Sequence, residues 1–105
     1  MGVTTRLVMR SLRNTERVMV NAGVEKLLEK ERVLGANLKF EDIIDEVAGV
    51  YPRIMQNGEM DAGAWSCGMV VGLIHDIPTC QALIDTIMSE AKEIIRGRLE
   101  GFLDD

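Results

Sequence analysis

Residues 61–76 read Asp61-Ala-Gly-Ala-Trp-Ser-Cys-Gly-Met-Val-Val-Gly-Leu-Ile-His-Asp76, and the way this stretch folds organises the rest of the chain. Between its acidic ends it has no Lys, Arg, Asp or Glu, yet it holds the only Trp, the only His, one of two Cys and three of ten Gly. Ala64, Gly68 and Gly72 recur every four residues, which on a helix makes one smooth face of small residues. Such a face lets another backbone or a flat ligand come close; tight helix packing alone produces the same spacing. The run is too short for a bilayer, which needs roughly 20 apolar residues. The expectation is a buried helix over residues 64–74, with Asp61 just ahead of its N-terminus.

Upstream, residues 3–9 are rich in β-branched side chains and predict one short strand. No second good strand is evident, and a lone strand is unstable without a partner. Asn14 or Thr15 is placed to cap a helix with Glu16 in its first turn and Val20, Val24, Leu27 and Leu28 on one face. Gly35-Ala-Asn37 breaks it. Phe40, Ile43, Ile44 and Val47 predict a second helix ended by Gly49. Pro52 can open a third piece over residues 52–56, and Asn57-Gly58 signals a turn.

Downstream, Asp76-Ile-Pro78 marks a restart, with Pro78 heading the longest helix. Ile84, Ile87, Met88, Ala91, Ile95, Leu99 and Phe102 share one of its faces, and Gly97 and Gly101 weaken its last turns. The fold class expected is mostly α: one short N-terminal strand, then about five helical pieces.

At 105 residues the chain is at most one domain with a modest core. Aromatic content is only 4%, so Ile, Val, Leu and seven Met must fill that core. Met fills gaps but specifies packing poorly, which suits a segment that completes its packing against something else.

The net charge of −5 argues against nucleic acid as partner. Residues 1–32 nevertheless carry seven basic and four acidic side chains, and Arg6, Arg10 and Arg13 precede the first acid. That edge is either a site for an anion or acidic partner, or simply solvated. Cys67, Cys80 and one His match no zinc spacing, so no metal site is expected. The N-terminus lacks a signal-peptide apolar segment, so the expectation is a reducing cytoplasm with free thiols.

His75, beside Asp76, is either a helix-end cap or an acid–base group. The acidic pairs Glu41/Asp42, Asp45/Glu46 and Asp104/Asp105 are expected to be solvating. No Gly-rich phosphate loop follows a strand. Ser66, the one hydroxyl in the apolar run and near its expected helix N-terminus, is the best candidate donor to an anionic ligand.

Arg6-Leu-Val-Met-Arg-Ser-Leu-Arg-Asn-Thr-Glu-Arg-Val18 and Ala64-Trp-Ser-Cys-Gly-Met-Val-Val-Gly-Leu-Ile74, followed by Asp76-Ile-Pro78, resemble segments of the nitronate monooxygenases, or 2-nitropropane dioxygenases. The similarity runs in order over about residues 4–103 and ends on Arg98-Leu-Glu-Gly-Phe-Leu103. These are FMN-dependent TIM-barrel oxidoreductases with a smaller helical second domain. They oxidise alkyl nitronates with dioxygen to a carbonyl compound and nitrite.

The resemblance maps this chain onto the C-terminal third alone. Residues 1–61 correspond to the helical insert, and residues 62–105 to the terminal barrel-associated helices. It implies that Ser66, with Trp65 and Gly68, borders the substrate and flavin pocket, and that Gly68 and Gly72 let a helix pack against the barrel top. The family's catalytic His and FMN-phosphate loops lie earlier in its barrel and have no counterpart here; His75 does not match that His. The expectations are therefore no FMN site or turnover in this segment alone, and a missing barrel portion, or a second chain supplying it, as partner. Small-molecule nitronate and dioxygen would be the reactants, and a homo-oligomer is compatible. The alternative is a helical oligomerisation or partner-binding module without catalysis.

Overall fold

Alternation of Val, Met and charged residues at both ends of residues 5–19 builds a hairpin rather than a lone strand. The computed structural model describes residues 4–104; Val3 and Asp105, included in the expectations above, lie outside the described residues. Strand β1 (Thr5–Val8) pairs antiparallel with β2 (Glu16–Met19), with Arg6 opposite Val18 and Leu7 opposite Arg17. The expected helix start at Asn14–Thr15 is thus a strand entry. Glu16-Arg-Val-Met alternates, Val18 is fully buried, and ladder bonds satisfy the backbone that a helix would otherwise have satisfied.

Helix α1 (Ala22–Leu34) begins later, behind Asn21, whose Oδ1 accepts from the Val24 N–H at 2.9 Å. Asp61 also serves this helix. Its carboxylate accepts from the Ala22 N–H at 2.9 Å and its carbonyl from the Gly23 N–H at 3.0 Å. Two of the four orphan N–H groups at the helix start are thereby satisfied by a distant segment.

A 3-10 turn at Gly35–Asn37 leads to α2 (Phe40–Val47), where Asp42 reaches back to accept from the Lys39 N–H at 2.9 Å. Gly49 does not end α2. Ala48 does, and Gly49, at φ +70°, leads into α3 (Val50–Asn57). Gly58, also at φ +70°, closes α3 by donating to the Ile54 carbonyl at 3.0 Å, as Asn57-Gly58 foretold.

The expected central helix over residues 64–74 does not form. Residues 64–68 are extended and lie along the free edge of β2: Met19 N–H donates to the Trp65 carbonyl at 3.2 Å, and Cys67 N–H to the Arg17 carbonyl at 3.1 Å. Only Met69–Leu73 coils, as a 3-10 turn. Gly63, Gly68 and Gly72 lower the helical tendency, and the unpaired edge of β2 offers the backbone partners it needs. Ala64, Gly68 and Gly72 therefore share no helical face.

The core of this unit, which ends at Ile74, gathers Val8, Met9, Val18, Val24, Leu27, Leu38, Ile43 and Ala64. Full burial of a Val, Leu or Ile contributes about 1.5–3 kcal/mol. At its centre three backbones meet. A Cβ on Gly23 would lie 2.6 Å from the Gly63 Cα, and one on Gly63 would lie 2.2 Å from the Glu46 carbonyl oxygen. Glycine at both positions lets Ala64 N–H donate to that Glu46 carbonyl at 2.7 Å. The buried Glu46 carboxylate, expected to be solvating, instead accepts from Lys30 Nζ at 2.8 Å.

The second unit starts at His75 and holds α4 (Cys80–Leu103). Pro78 precedes it, and the Thr79 hydroxyl accepts from the Ala82 N–H at 3.1 Å. The helix runs through Gly97 and Gly101, and every described residue of it is exposed. His75 is exposed and non-helical, and it follows Ile74, which closes the 3-10 turn. The described fold is thus a short antiparallel strand pair followed by several helices, mostly α. No described helix is long and apolar enough to cross a membrane.

Candidate functional site

Residues 64–68 hold all three sequence-predicted site residues, Trp65, Ser66 and Gly68, on the edge of β2. The register sets their sides. Ser66 bridges Val18, so it shares a strand face with Glu16, and its hydroxyl donates to a Glu16 carboxylate oxygen. The Ser66 N–H donates to the Tyr51 hydroxyl at 2.8 Å. The Tyr51 and Trp65 rings are tilted by 40° with centroids 6.0 Å apart, within the range of favourable aromatic pairs. Trp65 is half-buried, and its indole N–H is buried without a partner among the described residues. Gly68 is extended and exposed, just ahead of the 3-10 turn.

Cys67 points to the other strand face, where burial pushes its thiol upward and the Arg17 charge pulls weakly the other way. A thiol held protonated is a poor nucleophile, so it behaves as a small hydrophobe. Among the described residues no group of three or more His, Cys, Asp or Glu is arranged to hold a metal ion.

The donors of Ser66 and the Cys67 N–H are committed, while the Trp65 indole N–H is not. Ser66 gives its hydroxyl proton to a carboxylate and its N–H to Tyr51, while Cys67 gives its N–H to Arg17. An anion brought to Ser66 Oγ meets the Glu16 charge instead of a free donor. As folded, Ser66 offers no free donor to an anion.

Glu16, expected in the first turn of a helix, and Tyr51, given no role, both lie against Ser66. Glu16 is visible only once residues 16–19 are read as a strand. Tyr51 lies 15 residues from Ser66 with no local signal linking them. No protein-family model matches the chain.

Proposed function

We propose that this chain is the C-terminal portion of an FMN-dependent nitronate monooxygenase-like oxidoreductase, and that it contributes packing surface rather than flavin-binding groups. The complete enzyme would oxidise alkyl nitronates with dioxygen to a carbonyl compound and nitrite. The support is the ordered similarity over about residues 4–103, together with one structural observation. Met69, Val70, Leu73, Ile74 and Ile77 are exposed, and so are Ile84, Ile87, Met88, Ile95, Leu99 and Phe102 along α4. Apolar surface on this scale is a docking surface in a soluble protein, and a barrel body is the cover the similarity implies. FMN would bring the redox chemistry to the complete enzyme, held by groups outside this chain.

The test is a chimera in which this chain replaces the corresponding third of a complete nitronate monooxygenase. A soluble, yellow chimera that forms nitrite from an alkyl nitronate is expected. A soluble chimera without flavin or nitrite formation overturns the proposal.

The same exposed apolar residues favour a second reading, a non-catalytic oligomerisation or partner-binding module. The purified chain separates the two by its mass in solution. A stable oligomer whose assembly is abolished by Ile95→Asp supports the module; a monomer supports the flavoenzyme portion.

A further inference from the structure

We propose that the β1–β2 hairpin carries a binding site for the phosphate group of a small soluble molecule, built from Arg10 and Arg17 with Arg6 at its edge. A cavity of about 320 Å³ opens there, lined by Thr5, Arg6, Leu7, Arg10 and Arg17. Three of its five lining residues are arginines, on a chain whose acids outnumber its bases 17 to 12.

Two observations make this more than a solvated edge. The first is clustering. Arg6, Arg10 and Arg17 border one cavity and none meets a carboxylate among the described residues, a lack of pairing shared with Arg13, Lys26, Lys39, Lys92, Arg96 and Arg98. Glu16 adjoins Arg17 in sequence but occupies the opposite strand face, which it shares with Arg6, and it receives the Ser66 hydroxyl. Like charges gathered around one cavity repel, and an anion seated among them removes that repulsion.

The second is preorganisation. Leu7 and Arg17 face each other across the ladder, and Thr5 lies on the same strand face. Arg17 Nη1 donates to Thr5 Oγ1 at 2.8 Å, which fixes the guanidinium and leaves its remaining N–H groups for an acceptor. Arg10 sits in the connecting turn. That turn is held by Arg13 N–H donating to the Arg10 carbonyl at 3.0 Å and by Met9 N–H donating to the Glu31 carboxylate.

The planar guanidinium fork matches phosphate oxygens, and Leu7 supplies an apolar wall for a small organic remainder. The volume lies at the small end of ligand pockets. The site is independent of the flavoenzyme reading, since it uses none of Trp65, Ser66 or Gly68.

The test titrates inorganic phosphate and pyrophosphate into the full chain at low salt, followed by amide NMR shifts. Saturable shifts centred on residues 5–17 are expected. Arg10→Gln and Arg17→Gln each weaken binding about tenfold. Arg17→Lys, which keeps the charge, also weakens it, an effect that a diffuse positive field does not produce. Arg96→Gln, on α4, changes nothing, and circular dichroism verifies that each variant is folded. Absence of saturable shifts, equal weakening by Arg96→Gln, or binding to phosphatidylglycerol vesicles without binding to either phosphate overturns the site.

Discussion

Residues up to Ile74 and residues from His75 onward draw on the same apolar side chains and end in opposite states. In the first unit Val8, Val18, Val24, Leu27 and Ile43 are completely shielded from water. In the second, α4 has an apolar face over 24 residues and buries none of it. Helix α1 is cradled at its N-terminus by residues 61–63, which approach because Gly23 and Gly63 have no side chains to hold them apart. Helix α4 has its own cap and its own hydrogen bonds, and none of its described residues is buried. Amphipathic periodicity forms a helix and says which face wants cover; it does not supply the cover.

The sharpest way to break this contrast is Gly63→Ala. The added Cβ would sit 2.2 Å from a backbone carbonyl oxygen, at φ +152°, a conformation L side chains rarely adopt. The neighbour is main chain and cannot swing aside, so a loss of about 3 kcal/mol or more is expected. Thermal unfolding followed through Trp65 fluorescence measures it. A melting temperature unchanged from the parent chain would show that residues 61–64 do not hold the first unit together.

Next in size is a matched pair of truncations. Ile43→Ala removes a fully buried side chain and is expected to cost about 2–5 kcal/mol in urea unfolding. Leu99→Ala, on the bare face of α4, is expected to stay within about 0.5 kcal/mol in the chain alone. Equal losses would mean that α4 is covered in solution and would erase the distinction between the units.

The smallest effect is electrostatic and confined to the first unit. The hydrogen bond from Arg32 holds the Glu29 carboxyl below its ordinary value of 4.5, and hydrogen bonds from Arg53 and then Asn57 do the same for Glu59. A depressed folded-state pKa means that the unfolded chain binds the proton more readily. The stabilisation is therefore present above pH 4.5 and is lost as pH falls through the lower folded values. Both pairs are exposed at the surface, so salt screens them. Urea titrations across this window at low and high salt should show a shallow acid-side loss that added salt flattens. A loss of stability on raising pH through the same window would reverse the sign and remove these pairs as its cause.

Much of the fold was legible locally. Phe40, Ile43, Ile44 and Val47 announced α2, Asn57-Gly58 announced the end of α3, and Pro78 announced the start of α4, because each signal acts within one or two helical turns. The candidate stretch was legible as a location and misread as a shape. Trp65, Ser66 and Gly68 do lie together, but on an extended edge. Ser66 faces Glu16, 50 residues away in sequence, and the helix-terminus donor role collapses once there is no helix.

What the amino-acid order settled alone is where backbone hydrogen bonds can be met between near neighbours: the Asn57-Gly58 turn and the apolar stripes of α2 and α4. What only tertiary structure decided is the fate of residues 16–19 and 64–68. Their periodicity is too short to choose between coil, helix and strand. They became neighbouring extended segments because each could satisfy the other's N–H and C=O groups while Val18 and Ala64 entered the same core.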